Sequence, residues 1–174
     1  MRVCGIDLGN PGGLAVLSDE LPNGIWPFCT LCIEALPATL SRLGLQRLVH
    51  RLCKEHCVEL VATERPGMWG RVSVGMAQRE KQGLVRAVCE ALQIRLVDYQ
   101  PQEVKRAVAG YGRAGKEQVA RCVRRLACLP RGLDEHQTDA VAIAAVALNR
   151  ERARRAAATQ RRLPVRRRPA ARRR

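Results

Sequence analysis

The order of β-prone and helical segments restricts the possible folds of this sequence more than any other feature. Two apolar segments, residues 2–8 and 14–18, flank the turn signal Asn10-Pro11-Gly12-Gly13, and this arrangement predicts a β-hairpin. A third β-prone segment follows at about residues 25–34. Helical and β-prone segments then alternate, which gives the order β-β-β-α-β-α-β-α-α-α. This order favours an α/β fold in which helices pack on a mixed sheet.

The later segments are predicted from helical spacing and from β-prone composition. Asp134, followed three residues later by Gln137, resembles the capping box that starts a helix. The resulting predictions are helices at residues 38–57, 73–92, 101–109 and 116–128, strands at 58–63 and 94–99, and a final helix that begins near Asp134.

Positive charge is concentrated at the end of the chain. Residues 1–149 carry 19 Lys and Arg against 15 Asp and Glu, whereas residues 150–174 carry 12 Arg and one Glu, so the net charges are +4 and +11. A length of 174 residues favours a single folded domain. We therefore predict a domain at 1–149 and a flexible, arginine-rich tail at 150–174. Such a tail suits nonspecific attraction to phosphate, and a solubilising or targeting tail is the alternative.

The chain shows neither a membrane segment nor a secretory signal. No apolar run approaches the length that crosses a bilayer, and Asp7 interrupts the first apolar segment. We expect a cytoplasmic protein that does not associate with membranes. Its 8 cysteines are then expected to be reduced. Cys29, Cys32, Cys53 and Cys57 have spacings that could form a zinc site, but buried thiols are the favoured interpretation because Cys53 and Cys57 fall on one face of a predicted helix.

Acidic residues follow two apolar β-prone segments. Asp7 ends the first of these segments and Glu64 ends the segment at 58–63. If the two strands are neighbours, both carboxylates lie at the same edge of the sheet. His136 and Asp139, three residues apart on the last helix, share one face. Three carboxylates and an imidazole match a divalent-cation site of the kind that hydrolyses phosphodiesters. Taken singly, Asp7 could simply end a strand, Glu64 could form an ion pair with Arg65, and His136 could be a surface residue of the helix cap.

Several motifs together resemble the RuvC-like resolvases, especially their short phage and prophage forms. The resemblance spans about residues 2–149 and is carried by Gly5-Ile6-Asp7-Leu8-Gly9, Gly12-Gly13-Leu14-Ala15-Val16-Leu17, Glu64-Arg65-Pro66-Gly67, Gln82-Gly83, Pro101-Gln102-Glu103-Val104-Lys105, Gly115-Lys116-Glu117-Gln118-Val119 and His136-Gln137-Thr138-Asp139-Ala140. It implies an RNase H-like fold, a mixed five-stranded sheet whose first three strands are antiparallel, flanked by α-helices. It also implies a homodimer that binds four-way (Holliday) DNA junctions and nicks two strands symmetrically, in a bacterial cell or, if phage-encoded, in the host cytoplasm.

The resemblance also assigns roles to individual residues. Asp7, Glu64, His136 and Asp139 would be catalytic and would bind Mg²⁺ or Mn²⁺, with two ions in each active site. Because some members have aspartate at the position of His136, the preferred metal is open. The residues expected to contact DNA are Lys105, Lys116, Arg65, Met68 and Trp69, with Trp69 a candidate to stack on unpaired bases. The helix at 73–92 is a candidate dimer interface, although it could instead pack on its own sheet.

Three other functions are weighed against junction resolution. A broader nuclease for branched DNA or RNA–DNA hybrids would use the same acidic chemistry. A non-catalytic nucleic-acid-binding protein would depend on the arginine tail alone. Actin-like ATPases share the first motif but need two such domains around the nucleotide, and 174 residues supply one.

Overall fold

The computed structural model describes residues 1–20, 28–66 and 72–162, and at residues 72–74 and 162 it describes the backbone alone. A five-stranded sheet carries helices on both faces. No helix within these ranges is long and apolar enough to cross a bilayer. In chain order the elements are β1 (Arg2–Asp7), β2 (Gly12–Ser18), β3 (Cys29–Leu36), α1 (Arg42–Glu55), β4 (Leu60–Glu64), α2 (Val72–Ala91), β5 (Arg95–Tyr99), α3 (Pro101–Ala109), α4 (Lys116–Leu126) and α5 (Glu135–Arg162).

The strand order is β3-β2-β1-β4-β5. The first three strands are antiparallel, with Asp7 of β1 opposite Gly13 of β2. β4 pairs parallel to β1 and β5 parallel to β4, so that Ile6 lies beside Thr63. The predicted mixed five-stranded sheet with three antiparallel strands is confirmed, and so is the predicted order of the elements. The parallel pairing brings the carboxyl ends of β1 and β4 to the same edge of the sheet.

Both faces of the central strand are buried. Val3 of β1 faces a layer formed by α3, α4 and α5, whereas Cys4 and Ile6 face the layer formed by α1 and α2. Successive side chains of a strand point to opposite faces, so a strand covered on both sides must be apolar at nearly every position. This explains why residues 3–6 carry no charged side chain and why the next acidic residue, Asp7, stands at the end of β1.

Several predicted boundaries are wrong by a few residues. The third strand begins at Cys29 and ends at Leu36, and residues 21–27 lie outside the described ranges. α1 begins after Ser41, whose hydroxyl accepts a hydrogen bond from the amide of Gly44 at 3.0 Å, and it ends at Glu55. Cys57 consequently lies beyond the helix, with φ of 48°, and is exposed. The expectation that Cys53 and Cys57 share one buried helical face is therefore wrong.

The last helix is longer than the sequence pattern indicates. Asp134 and Gln137 form the predicted reciprocal cap, with hydrogen bonds of 2.8 and 3.0 Å. α5 then continues through Arg162, past the residue at which a flexible tail was predicted to start. Glu151 anchors this continuation, because its carboxylate is only 6% exposed and pairs with Arg95 and Arg154. Residues 150–162 are thus helical, and residues 163–174 lie outside the described ranges.

Replacing Glu151 by Gln is expected to destabilise the protein by about 1–3 kcal/mol, since it removes the buried negative charge that pairs with Arg95 and Arg154. Arg154 and Arg95 lower the pKa of Glu151 to about 2. Because the pKa of Glu151 is lower in the folded state, its ion pairs stabilise the protein fully at pH values above the ordinary pKa of 4.5. This stabilisation is lost as the pH falls towards 2. Urea unfolding at pH 7 and pH 3 measures both effects. The exposed Glu90→Gln serves as control, and equal stability of the two variants at pH 7 would contradict the prediction.

Candidate active site

The carboxyl ends of two parallel strands and the start of α5 meet at one edge of the sheet. Asp7 is the last residue of β1 and Glu64 the last of β4. α5 lies across β1 and β2, and its first turn carries His136 and Asp139 to the same edge. A cleft at this edge is lined by Asp7, Leu8, Glu64, Arg65, Pro66, Gln78 and Pro101. Of the four residues predicted to be catalytic, Asp7 and Glu64 line this cleft, and His136 contacts Asp7. Asp139 lies near enough to Glu64 to affect its pKa, and it lines a second depression.

Asp7 is held in place by two contacts. One carboxylate oxygen accepts a hydrogen bond from the amide of Gly9 at 3.0 Å, and the other lies 2.7 Å from Nδ1 of His136. The approach of His136 depends on Gly13 of β2, because a Cβ atom there would lie 2.3 Å from the carbonyl oxygen of His136. Glycine at this position allows the first turn of α5 to touch the strand. The motif Gly12-Gly13 thus has a packing role in addition to its role in the turn.

The carboxylates of the cleft influence one another. Burial, together with the nearby carboxylates Asp139 and Asp7, raises the pKa of Glu64 to about 7, against the opposing effect of Lys105. Burial likewise raises the pKa of Asp139 to about 6, with Asp7 and Glu135 adding to the effect and Lys116 and His136 opposing it. Half-buried carboxylates that repel one another hold protons near neutral pH unless a cation is supplied.

The donor set fits a hard divalent cation. Carboxylate oxygens with one imidazole are ligands that Mg²⁺ and Mn²⁺ accept, and a bound ion removes the mutual repulsion of the acids. Across residues 1–20, 28–66 and 72–162, however, no three His, Cys, Asp or Glu side chains are close enough together to hold an ion as they stand. The structure places Asp7 and Glu64 in one cleft with His136 in contact with Asp7, and the roles of these residues and of Asp139 as metal ligands stay a prediction.

The metal-free protein is expected to lose stability as the pH rises. Glu64 and Asp139 have ordinary pKa values of 4.5 and 3.8, against about 7 and about 6 in the folded protein. The folded state therefore binds more protons than the unfolded state between about pH 4 and 7, and its stability falls across this range. We expect the Tm to fall by about 3–5 °C from pH 5 to pH 8. Millimolar Mg²⁺ or Mn²⁺ should raise the Tm at pH 8 and have less effect at pH 5.

Thermal unfolding of the wild-type protein and of Glu64→Gln, each with and without metal, tests this expectation. The variant lacks the titrating carboxylate, so its Tm should depend less on pH and respond less to metal. The exposed Glu90→Gln, which removes a carboxylate outside the cleft, should behave as the wild type. Parallel pH profiles for Glu64→Gln and the wild type would show that Glu64 does not carry the effect.

The residues predicted to contact DNA are placed unequally. Lys105 of α3 is half-buried and close enough to Glu64 to lower its pKa, and Lys116 begins α4 and pairs with Glu135. Arg65 is exposed at the rim of the cleft, and its amide donates to the carbonyl oxygen of Tyr99 at 2.8 Å. The predictions for Met68 and Trp69 lie outside the described residues.

Sequence reasoning missed Lys81 of α2. Its Nζ donates to the carbonyl oxygen of Gly9 at 2.8 Å, and the amide of the same residue donates to Asp7. Burial lowers the pKa of Lys81, and the carboxylate of Asp7 opposes this shift. Gln78, one turn earlier, lines the cleft. Their spacing of three residues predicts that Gln78 and Lys81 share one face of the helix. Nothing in the sequence, however, indicates that α2 borders the acidic residues.

The assignment of α2 as a dimer contact stays a prediction. Val85, Val88 and Cys89 of this helix are buried against the protein's own core, together with α1 and the sheet. Met76, near the start of the helix, is 63% exposed. α2 therefore packs on its own sheet through one face and leaves another face open.

Comparison with known proteins agrees with this architecture. A family model described as "Crossover junction endodeoxyribonuclease RuvC" matches residues 3–147. The chain belongs to the RuvC family. The RuvC of Thermomicrobium roseum is 31% identical to this family member over 137 residues, which are 75% of this chain and 81% of that protein. The RuvC of a Nocardioides species is 33% identical over 151 residues, 83% and 84% of the two chains. The resemblance to RuvC-like resolvases is confirmed.

Solved structures of the family match the fold of this RuvC family member. Thermus thermophilus RuvC in complex with a Holliday junction substrate superposes with a TM-score of 0.77 and 27% identity, over 88% of this chain and 96% of that one. The yeast mitochondrial Holliday junction resolvase Ydc2 superposes with a TM-score of 0.62 over 91% of this chain and 85% of that one. Its identity of 12% makes the likeness one of fold alone. The predicted RNase H-like fold class is confirmed.

Proposed function

We propose that this RuvC family member is a divalent-metal-dependent endodeoxyribonuclease that resolves four-way DNA junctions by paired symmetric nicks. The observation that carries the proposal is a cleft lined by Asp7 and Glu64, in a chain that matches the crossover junction endodeoxyribonuclease family over residues 3–147. His136 contacts Asp7, and Asp139 lies near enough to raise the pKa of Glu64. A homologue with the same fold is known in complex with a Holliday junction. Two strands must be cut in register, and a homodimer supplies two such clefts related by symmetry.

The chain's own residues would hold the metal and the scissile phosphate. Asp7, oriented by the Gly9 amide and by His136, would be the central ligand, with Glu64 and Asp139 beside it. Mg²⁺ or Mn²⁺, two ions in each site, would supply charge that stabilises the attacking and leaving oxygens of the phosphodiester. Burial of Glu64 and Asp139 strengthens their attraction for cations, because water screens them less. Lys105 and Lys116 would neutralise neighbouring phosphates.

Each residue placed beside Asp7 has a supporting part. His136 would keep the Asp7 carboxylate turned towards the cleft, since its Nδ1 lies 2.7 Å away. Lys81 would fix the loop that carries the Gly9 amide. Such contacts hold ligands in the geometry that the reaction requires and limit their freedom in the absence of metal. The proposed place of action is the bacterial cytoplasm, or the host cytoplasm if the gene is carried by a phage.

A cleavage panel tests the proposal. Synthetic four-way junction, flap, linear duplex and RNA–DNA hybrid would be incubated with the full chain and Mg²⁺ or Mn²⁺. We expect rapid, symmetric nicking of the junction and little cleavage of the duplex or the hybrid. Equal cleavage of the flap would indicate a broader branched-DNA nuclease. Binding without cleavage under any divalent metal would indicate a non-catalytic nucleic-acid-binding protein and would refute the proposal.

A further inference from the structure

Positive charge in the folded part of the chain is concentrated between residues 106 and 131. This segment holds seven Lys and Arg residues and one Glu, a net charge of +6. Because residues 1–149 have 19 basic and 15 acidic residues, the remainder of that region has a net charge of −2. A general excess of arginine would spread the charge evenly. The segment contains α4 and its two flanking loops, so the charge belongs to one region of the structure.

Arginines elsewhere are mostly neutralised by carboxylates. On α1, Arg42 pairs with Glu80 at 2.7 Å and Arg51 with Glu34 at 2.9 Å. On α5, Arg150 pairs with Glu103 at 3.3 Å. By contrast, none of the described carboxylates lies within 4.0 Å of a group of exposed arginines on and beside α4, namely Arg113, Arg121, Arg124, Arg125 and Arg131.

These arginines lie on the outer side of α4. Val119 and Val123 are buried on the side of the helix that packs against α5. Arg121, Arg124 and Arg125, which we call the basic face, are exposed on the remaining surface. The helix begins at Lys116. One surface depression is lined by the basic residues Lys116 and Arg124 together with the carboxylates Glu117, Asp134, Glu135 and Asp139. Arg124 therefore connects the basic face to the depression that contains Asp139, and the Cα atoms of the face span about 6 Å along α4.

We propose that the basic face binds the phosphate backbone of one duplex arm as the arm leaves the cleft. The proposal rests on the proposed junction cleavage, which it extends by assigning the path of the DNA. Exposed arginines without carboxylate partners suit phosphate, because no ion pair must be broken to bind it. One strand carries a phosphate about every 3.4 Å, so the three arginines, whose Cα atoms span about 6 Å, match about two or three consecutive phosphates. An acidic protein is the other class of partner that such a surface could attract.

The test compares two triple variants of equal charge in the full chain. The first variant, called the α4 variant, replaces Arg121, Arg124 and Arg125 by Gln. The control replaces Arg42, Arg47 and Arg51 of α1 by Gln, and α1 lies on the opposite face of the sheet. Junction affinity is measured across a range of salt concentrations without divalent metal. Each phosphate contact contributes about 0.9 to the slope of log K against log salt. We expect the α4 variant to lose about 2–3 from this slope and at least about tenfold in affinity at low salt, and the control to lose less than about 1.

Phosphate-ethylation interference then locates the contacts. Ethylation at the phosphates beside the cleavage point should impair binding of both variants. Ethylation at the next two or three phosphates, about 6 Å along the arm, should impair binding of the control and not of the α4 variant. Equal slopes and equal interference patterns in the two variants would overturn the inference and would leave the face to an acidic protein partner. Failure of the wild-type protein to cut the junction would instead refute the proposed function. Thermal unfolding confirms that both variants are folded.

Discussion

Asp7→Asn is expected to reduce junction cleavage by about 10³-fold or more, because it removes the charge of the residue proposed as the central metal ligand. Asparagine has nearly the same volume and can still accept the hydrogen bond that the Gly9 amide donates to Asp7. The loop and the sheet edge should therefore keep their shape. Junction affinity without metal is expected to stay within about threefold of the wild type, since phosphate contacts come from basic residues elsewhere.

Single-turnover cleavage of a synthetic junction with Mg²⁺ or Mn²⁺, together with gel-shift binding in a chelator, measures both parts of this result. Asp19→Asn is the matched control. The side chain of Asp19 is 19% exposed, against 17% for Asp7, and it lies outside the cleft, where it pairs with the N-terminal amine. Its cleavage rate should equal that of the wild type. Full activity of the Asp7 variant would be incompatible with the proposed role.

The sheet and the position of the acidic residues could be predicted because each depends on local pattern and on general rules of topology. Continuous apolar character marked residues 3–6 as a strand buried on both faces, and the turn residues after Asp7 marked the hairpin. A helix between two strands, as between the hairpin and Glu64, favours parallel pairing within one sheet. From the sequence, Asp7 and Glu64 lie at the same edge on the condition that β1 and β4 are neighbours, and the structure shows that they are.

Other features depend on contacts between residues distant in the chain, which periodicity does not report. α5 continues to Arg162 because Glu151 meets Arg95, 56 residues away in sequence, and because alanines within residues 153–158 favour helix. Lys81 reaches the loop after β1 across 72 residues. The end of α1 was set by left-handed backbone at Cys57, a residue type that gives no warning of such a turn.

The position of a charged binding surface likewise cannot be predicted from the number of arginines in a segment. The sequence alone directs attention to the arginines of residues 150–174, where their density is highest. In the folded protein, Arg150, Arg154 and Arg155 of that segment pair with carboxylates, whereas a group of exposed arginines without such partners lies on and beside α4. Charge counts along a chain measure attraction at long range, whereas a binding surface depends on which charges the fold leaves without partners.

Gly5→Ala is expected to destabilise the protein by about 3 kcal/mol or more, although it adds a single methyl group. Gly5 is a buried residue of β1, and a Cβ atom there would lie 2.3 Å from the carbonyl oxygen of Ala140 and 2.5 Å from the amide nitrogen of Ala144. Both atoms belong to the backbone of α5 and cannot rotate away. The helix must therefore move off the sheet, and His136 and Asp139 in its first turn must move with it.

The matched control is Gly83→Ala, which makes the same chemical change at an exposed position within α2, where no atom lies within 4 Å of the added methyl group. Alanine favours helix over glycine, so the control should be as stable as the wild type or more stable by about 0.5–1 kcal/mol. Urea unfolding measures the stabilities, and the rise in Tm on adding Mn²⁺ reports on the cleft. For Gly5→Ala we expect a lower midpoint and a smaller metal response, since displacement of α5 separates Asp139 from Asp7 and Glu64. Wild-type stability of Gly5→Ala would mean that the close contact between β1 and α5 does not hold the cleft together.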